Sequence, residues 1–310
     1  MSQKVRHIPV MLKEVLENLA PQDGEVYVDA TFGNGGYTKA ILDSANCKVI
    51  AIDRDPNVVN RANELKEIYG ERFDFRSGTF GEISTLINEP VNGVVFDIGV
   101  SSMQLDDGYR GFSFSKTATL DMRMSMSGTS AKDIVNTMDE KELADLLYLY
   151  GEEKKSRQIA SKIVNYRKNT EIETTTQLAE IIYSVLPKKH NQIDPATRTF
   201  QALRIAVNDE LKQLENGLEG ALAITKEEAR IVVVDFHSLE DRIVKDFFNK
   251  NSEKKVHVSK YKNEHPQFLD DSKKLAFVSK AIIASDEECN INPRARSAKL
   301  RYALKKKGTI

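Results

Sequence analysis

The fold is decided between residues 26 and 53, which read VYVDATFGNGGYTKAILDSANCKVIAID. An apolar run ends at Asp29, a glycine-rich turn and a helical stretch follow, and a second apolar run ends at Asp53. Continuous short apolar runs are typical of strands that are buried on both faces. The stretch therefore predicts two parallel strands joined by a helix, with the glycines at the turn from strand to helix.

The same alternation extends beyond this stretch. Short apolar runs at residues 73–75, 94–96 and 231–234 predict three further strands, and helical segments lie between them. Strands that alternate with helices form parallel sheets with right-handed crossovers. We therefore predict an α/β fold with a doubly wound parallel sheet, and a final strand over residues 296–304.

A helical segment interrupts this pattern. Thr174 and Gln177 have the spacing of a capping box, and the surrounding apolar residues recur at helical intervals. We predict a discontinuous sheet domain, residues 1–105 and 196–310, with a helical insertion at residues 106–195. A single long helix with an apolar stripe from Phe200 to Leu218 is expected to follow the insertion.

Composition limits the classes of function. The chain has 310 residues, 45 basic and 46 acidic, so its net charge is −1 and nucleic-acid binding would need a local basic patch. Its two cysteines, Cys47 and Cys289, exclude a disulfide framework and a four-cysteine zinc site. The mean hydropathy is −0.43. The first residues lack a long apolar run, so we expect no membrane span and a cytoplasmic location.

The glycine turn predicts a ligand site. Gly33, Gly35 and Gly36 let the backbone approach a ligand, and Asp53, twenty residues after Gly33, is placed to bind a ribose diol. Position 38 is a threonine, so the GxGxxG pattern of dinucleotide sites is incomplete. Three interpretations remain open at this point: S-adenosylmethionine, a nicotinamide or other nucleotide, and a purely structural turn.

Nine longer segments carry a resemblance to a known family. They are HIPVML (7–12), DATFGNGG (29–36), DIGVSSMQLD (97–106), RGFSF (110–114), LDMRM (120–124), YGEE (150–153), PATRTFQALRI (195–205), FHSLEDR (236–242) and NPRARS (292–297). In this order they cover nearly the whole chain. Together they resemble the MraW family of bacterial 16S ribosomal RNA cytosine-N4 methyltransferases.

The resemblance implies a class I methyltransferase domain with an inserted helical substrate domain. It also implies S-adenosylmethionine as methyl donor and the N4 amino group of a decoding-centre cytidine in 16S rRNA as acceptor. The residues that match donor-binding positions of the family are Gly35, Gly36, Tyr37, Asp53, Phe80, Asp97 and Gln104. The chain has Tyr37 where the family usually has His, and Met103 where Pro is frequent, so an imidazole role at position 37 does not carry over.

The expected chemistry selects candidate catalytic residues. Cytosine N4 is a weak nucleophile, and acceptors that bind its amino hydrogens stabilise the positive charge that develops on nitrogen. Asp97, Ser101 and Ser102 are our candidates for this role, unless Asp97 serves the amino group of the donor instead. Methylation at C5 would need a cysteine nucleophile. Because neither cysteine lies near the end of a predicted central strand, we favour attack by a heteroatom.

His237 has two open interpretations. It follows the fifth predicted strand, so its imidazole could accept the proton released after transfer. Equally, His237 and Ser238 could cap the next helix, whose first turn contains Glu240 and Asp241. No group of His, Cys and Asp residues has the spacing of metal ligands, and we predict no metal site.

RNA binding is expected at arginines and aromatic residues of the matching segments. Phe112 and Phe114 are candidates to stack on an extruded base, with packing in the core as the alternative. The arginines that we predict to contact RNA are Arg110, Arg123, Arg198, Arg204, Arg294 and Arg296. The predicted partner is 16S rRNA in the small ribosomal subunit, and a homodimer is left open.

Two other functions compete with RNA methylation. A small-molecule methyltransferase would need an enclosed apolar pocket and no basic rim. A nucleotide-binding or scaffold protein would bind the donor without transferring its methyl group.

Overall fold

The structure is a computed structural model and describes residues 9–99, 110–188, 193–252 and 273–308. The chain forms two compact units. The sheet unit comprises Met1–Gly99 and Lys212–Ile310, and the helical unit comprises Val100–Leu211. The predicted Ser101, Ser102 and Gln104 lie outside the described residues.

The sheet is mixed but mostly parallel. Its strands are β1 (Val26–Asp29), β2 (Lys48–Asp53), β3 (Phe73–Ser77), β4 (Val91–Asp97), β5 (Thr225–Asp235), β6 (Leu275–Val278), β7 (Ile282–Ile283) and β8 (Lys299–Lys305). They lie in the order β3-β2-β1-β4-β5-β8-β6, and β7 pairs with β8. The first five strands are parallel to one another, whereas β8 is antiparallel to β5. The predicted class I methyltransferase fold is confirmed.

Helices lie in the connections between the strands and make up the inserted segment. In chain order they are α1 (Leu12–Leu19), α2 (Gly36–Ser44), α3 (Val59–Tyr69), α4 (Ile83–Leu86), α5 (Ala131–Thr137), α6 (Glu140–Gly151), α7 (Ser156–Arg167), α8 (Thr175–Val185), α9 (Ala196–Asn208), α10 (Glu210–Ile224), α11 (Ser238–Asn251) and α12 (Asp286–Ile291). The capping box of α8 forms as predicted, with Thr174 accepting from the N–H of Gln177. No helix among the described residues combines the length and the apolar character that a membrane crossing requires.

Side chains on one face of the central strands form the core of the sheet unit together with two helices. Phe96 of β4 and Val233 of β5 are cross-strand partners, and both are fully buried. They pack with Leu214 and Leu218 of α10 and with Phe248 of α11 in one apolar cluster. Residues one position further along each strand point to the opposite face. The two helices therefore cover one face of the central strands.

The helical unit has a core of its own. Fully buried leucines and isoleucines of α6, α7 and α8 form an apolar cluster that also contains Phe200 and Leu203 of α9. The predicted boundary at residue 195 therefore separates α9 from the core in which it packs. The structure corrects this prediction, because the insertion extends to Leu211 and begins at Val100.

The predicted long helix is also interrupted. Asp209 has φ 51° and accordingly lies in the left-handed region, where it ends α9. The apolar stripe from Phe200 to Leu218 belongs to two helices and contributes to two separate cores. Periodicity alone predicted one helix, because a single left-handed residue leaves the spacing of apolar residues nearly unchanged.

We expect Leu147→Ala to destabilise the helical unit by about 2–5 kcal/mol, the usual cost of truncating a buried leucine. Leu147 is fully buried in α6, whereas Leu149 on the same helix is 60% exposed. Urea unfolding of both alanine variants is the measurement, with Leu149→Ala as the matched control. Equal losses in the two variants would contradict the described core.

Candidate functional site

Four neighbouring parallel strands end on aspartates. Asp29, Asp53, Asp97 and Asp235 are the last residues of β1, β2, β4 and β5. These strands are adjacent in the sheet, in the order β2-β1-β4-β5. The carboxyl edge of an open α/β sheet is where such folds bind ligands. The sheet unit thus carries a row of carboxylates at the edge where a ligand is expected.

The glycine loop after β1 is held by two of these carboxylates. The N–H of Gly33 donates to the Asp53 carboxylate at 2.7 Å. Asp29 is fully buried and accepts from the backbone N–H of Thr31 and from both the N–H and the hydroxyl of Thr38. Gly35 has φ 72°, and a Cβ there would lie 2.8 Å from Leu65. The loop therefore requires glycine and is fixed at both ends.

Tyr37 is bound into the protein interior through its side chain. It is 3% exposed, and its hydroxyl donates to the carbonyl oxygen of Val10. Burial raises the pKa of this phenol well above its usual range. The side chain of Tyr37 is thus occupied within the fold, and only its main chain is suited to contact a bound methyl donor.

Asp53 holds the glycine loop and is also the residue that the sequence predicts to bind a ribose diol. Its carboxylate accepts from the N–H groups of Gly33 and Asp55 at 2.7 and 2.8 Å. Burial raises its pKa to about 6, and those two hydrogen bonds oppose the rise. Asp53 is therefore mostly ionised at neutral pH, and a carboxylate has further lone pairs for hydroxyl donors.

Of the two predicted aspartates, Asp97 has the more strongly raised pKa. Burial and, to a smaller extent, the negative charges of Asp29 and Glu240 raise its pKa to about 7. Its own N–H donates to the hydroxyl of Thr31 at 2.6 Å, which ties the end of β4 to the loop after β1. A bound cation would relieve this repulsion and favour the ionised form. The electrostatics at this edge accordingly suit a positively charged ligand.

Phe80 lies in a short turn after β3. Its ring meets that of Phe96 edge-on, with centroids 6.0 Å apart. Gly217 of α10 packs so closely that a Cβ there would lie 3.0 Å from the Phe80 ring. The ring is half-buried and packs closely against the core of the sheet unit.

The predictions did not include Asp235. It is fully buried, and neither of its carboxylate oxygens has a hydrogen-bond partner among the described residues. Burial and the nearby charges of Asp241 and Glu240 raise its pKa to about 8, against the opposing effect of Lys299 and Arg301. The signal was present in the sequence: the run IVVVD ends on aspartate as the other strands do.

His237 acts as a helix cap. Its Nδ1 accepts from the N–H of Glu240 at 3.4 Å, and Glu240 in return accepts from the N–H groups of Phe236 and His237. The Nε2 atom of His237 lies 3.0 Å from the Glu240 carboxylate. Of the two interpretations of His237, the structure provides the capping role at the start of α11.

Several residues predicted to bind RNA instead stabilise the helical unit. Arg110 is buried and donates to the carbonyl oxygens of Arg123 and Met124, and Phe112 is part of the apolar core. Phe114 packs edge-on against Phe200. For these aromatic residues, packing in the core was the alternative interpretation. Their sequence neighbourhood could not distinguish it from stacking on RNA.

The remaining predicted arginines differ in their availability. Arg123 is ion-paired with Asp121, and Arg204 forms a two-pronged pair with Glu210. Arg198 and Arg296 are exposed, whereas Arg294 is half-buried. Among these cations, Arg198 and Arg296 present the most accessible charge to a partner.

The electrostatics decide among the ligands that the sequence left open. A row of crowded carboxylates disfavours the diphosphate of a dinucleotide and favours a ligand with a sulfonium and an ammonium group. Together with the order of the sheet, this places the protein among the S-adenosylmethionine-dependent methyltransferases. Within that class, the chain belongs to the MraW methylase family, whose profile matches residues 4–306.

Several known proteins are similar to this chain in sequence or in structure. The chain is 55% identical over 299 residues to the ribosomal RNA small subunit methyltransferase H of Rickettsia massiliae, covering 96% of this chain and 97% of that protein. It is 54% identical over 300 residues to the protein of the same name from Rickettsia felis, covering 96% and 98%. Among solved structures, an rRNA methylase from Streptococcus thermophilus is 10% identical, with a TM-score of 0.41 and coverages of 96% and 94%.

We expect Asp235→Asn to become more stable than the wild type as pH rises. The raised pKa of Asp235 stabilises the wild type below the usual aspartate pKa, and this contribution is lost as pH rises to about 8. The difference in unfolding free energy between the two proteins should therefore change by up to about 1.4 kcal/mol per pH unit between pH 5 and 8.

Urea unfolding across that range measures this difference. Asp246→Asn, at an exposed position of the same helix as Asp241, is the matched control and should follow the wild-type curve. A difference between Asp235→Asn and wild type that stays constant with pH would contradict the raised pKa.

Proposed function

We propose that this protein transfers the methyl group of S-adenosylmethionine to the N4 amino group of a cytidine in the decoding centre of 16S rRNA. The observation that carries the proposal is the identity of 55% over nearly the full length of a protein named ribosomal RNA small subunit methyltransferase H. The choice of N4 and of the decoding centre is supported by the resemblance of the segments at residues 97–106 and 195–205 to the cytosine-N4 family.

The donor site is proposed at the carboxyl edge of β1, β2 and β4. The backbone of Gly33, Gly35, Gly36 and Tyr37 approaches the donor, and Asp53 accepts from its ribose hydroxyls. Phe80 flanks the adenine, and Gln104 belongs to the same set by its match to the family. The rigid loop and the closely packed Phe80 ring support this placement.

Asp97 is proposed to hold charge at the reacting centre. The bound donor supplies an activated methyl group on a sulfonium. Asp97 becomes ionised when the cation enters, because the attraction lowers a pKa that burial had raised to about 7. Its carboxylate then accepts a hydrogen bond from the amino group and stabilises the positive charge that develops on N4. Ser101 and Ser102 are proposed to accept the second amino hydrogen.

Neither of the two cysteines lies at the carboxyl end of a strand. Cys47 lies directly before β2, at the amino end of the strand, and Cys289 lies in α12. Methylation of ring carbon C5 requires a thiolate that adds to C6. The positions of both cysteines therefore favour the exocyclic amine over C5.

The helical unit is proposed to recognise the RNA. In that unit, the exposed Arg198 is proposed to contact phosphate, and Arg123 and Arg204 contribute positive charge from within ion pairs. The exposed Arg296 of the sheet unit is proposed to contact phosphate as well. We propose the assembled small ribosomal subunit in the cytoplasm as the physiological substrate.

Asp53→Asn is expected to weaken binding of S-adenosylmethionine by about 10- to 100-fold, the range for losing hydrogen bonds to a charged group. Calorimetric titration with the donor measures the effect. Asp74→Asn is the matched control, since Asp74 lies on neighbouring β3 and forms only a partly exposed ion pair with Arg76. Unchanged affinity in Asp53→Asn would exclude the proposed ribose contact.

Asp97→Asn is expected to slow methyl transfer by about 100-fold or more, the usual cost of removing one preorganised electrostatic group. Single-turnover transfer of labelled methyl to small subunits that lack the modification measures the rate, again with Asp74→Asn as control. A full single-turnover rate in Asp97→Asn would show that this carboxylate is not essential.

The substrate is tested with the wild-type protein. Labelled donor is offered with undermodified small subunits, with free 16S rRNA and with a pool of small metabolites, and mass spectrometry then locates the methyl group. Transfer to N4 of a decoding-centre cytidine is the expected result. Transfer to metabolites alone, or donor binding without transfer, would overturn the proposal in favour of the two competing functions.

A further inference from the structure

A shallow depression lies at the antiparallel end of the sheet, away from the aspartates that end β1, β2, β4 and β5. Arg230, Phe277, Tyr302 and Leu304 line it, and its volume is about 240 Å³. We call these four residues the aromatic depression. Leu304 of β8 is the cross-strand partner of both Arg230 on β5 and Phe277 on β6, so three strands contribute to it. Neither the donor site nor the proposed reaction uses any of these residues.

The aromatic rings in the depression are accessible. Phe277 is 45% exposed, and its ring lies 5.4 Å from that of Tyr302 at an interplanar angle of 38°. Leaving a large apolar ring half in water is unfavourable, and burial of its free face against another flat group would recover that free energy. A nucleobase is flat and has a π-face, so it is suited to stack on such a ring.

Arg230 adds a cation at the same place. Its guanidinium donates to the carbonyl oxygen of Asn18 at 3.1 Å, near the end of α1, which fixes the side chain. A guanidinium has five N–H donors, so further donors remain for a base edge or a phosphate. Arginine beside aromatic rings is the combination that single-stranded RNA sites use.

The strands around the depression favour an anionic partner. Residues 273–308 contain three acidic residues, all in the first turn of α12, against ten lysines and arginines: Lys273, Lys274, Lys280, Arg294, Arg296, Lys299, Arg301, Lys305, Lys306 and Lys307. Lys299 and Arg301 pair with Asp241, and Lys305 donates to backbone carbonyls. Glu228 lies 3.9 Å from Lys307. Lys274 and Lys280 are exposed, so positive charge remains at the surface of β6.

The depression is separate from the methyl-transfer site. Arg230 precedes Asp235 by five residues on β5, which corresponds to roughly 16 Å along a strand at 3.3 Å per residue. A nucleotide bound there is therefore not the one that receives the methyl group. It must also be unpaired, because a base within an RNA helix has both faces covered.

We propose that the aromatic depression binds one unpaired nucleotide of the rRNA substrate, by stacking its base on Phe277 and holding its polar groups with Arg230. This inference rests on the proposed function, which supplies an RNA partner. It adds to that function a second contact, distant from the reacting cytidine, that helps to position the substrate.

Phe277→Ala is expected to raise KM for the ribosomal substrate by about 5- to 100-fold, the range of one base–aromatic stack. The rate at saturating substrate and the affinity for S-adenosylmethionine should stay at wild-type values. Phe277→Tyr keeps the ring and should restore KM. Ile283→Ala, a 73% exposed residue of β7 on the same part of the sheet, is the matched control.

A direct readout of stacking is also available, because the chain contains no tryptophan. Phe277→Trp introduces a single fluorophore whose emission should be quenched when 16S rRNA is added. Ile283→Trp places the same fluorophore outside the depression, and its emission should change little. Equal responses of the two tryptophans, or an unchanged KM in Phe277→Ala, would overturn the inference.

The experiment separates the inference from the proposed function. If wild-type protein neither binds nor methylates rRNA, the proposed function fails. If wild type methylates rRNA and Phe277→Ala does so with the same KM, only the aromatic depression is excluded. Sedimentation of both proteins completes the test, since a change of oligomeric state with unaltered rRNA binding would assign the surface to a second copy of the chain and overturn the proposal.

Discussion

The sheet unit depends on how it neutralises carboxylates that its own fold removes from water. Burying an ionised group is costly unless hydrogen bonds or opposite charges compensate it. Asp29 is compensated by donors from Thr31 and Thr38, and Asp241 by Lys299 and Arg301. Burial still raises the pKa of Asp29 against these hydrogen bonds, and it raises the pKa of Asp97 to about 7 and that of Asp235 to about 8. The edge thus carries two carboxylates that hold the glycine loop, Asp29 and Asp53, and two that have the pKa values of about 7 and 8, Asp97 and Asp235.

This division explains why one sheet edge can be both rigid and reactive. The compensated groups fix the glycine loop and the start of α11, so that the backbone around the site is defined without a ligand. The groups with raised pKa values remain sensitive to any cation that enters. Preorganisation and responsiveness therefore come from the same residue type, and Asp53 combines the two: it accepts from two N–H groups, and burial raises its pKa to about 6.

The central parallel strands were predictable from sequence, because four apolar runs of similar length each end on a polar residue, whereas their order in the sheet was not predicted. The glycine loop was predictable for the same reason, since glycines between a strand and a helix permit a tight turn. The strands β6 and β7 were not predicted. They contain only four and two residues, and their pairing with β8 joins segments that are separated in sequence. Strands this short carry no periodicity of their own.

The arginines show a different limit. Arg110 and Arg198 occur in similar polar surroundings in the sequence, yet Arg110 is buried against backbone carbonyls while Arg198 is exposed. A guanidinium can satisfy carbonyls, carboxylates or phosphates with the same donors, so residue type does not identify its partner. Asp209 is a further case, because its left-handed conformation divides one apparent helix between two cores.

The sheet unit consists of two chain segments, and this division determines which parts of the protein can fold first during synthesis. Strands β4 and β5 are neighbours in the sheet, but the whole helical unit lies between them in the chain. A nascent chain therefore exposes β1 to β4 with one edge uncovered until β5 emerges, and the antiparallel strand β8 follows only near the end. The contiguous helical unit has all its residues available earlier and can collapse first. Until β5 and β8 have emerged, the edge at β4 stays open to pairing with other chains.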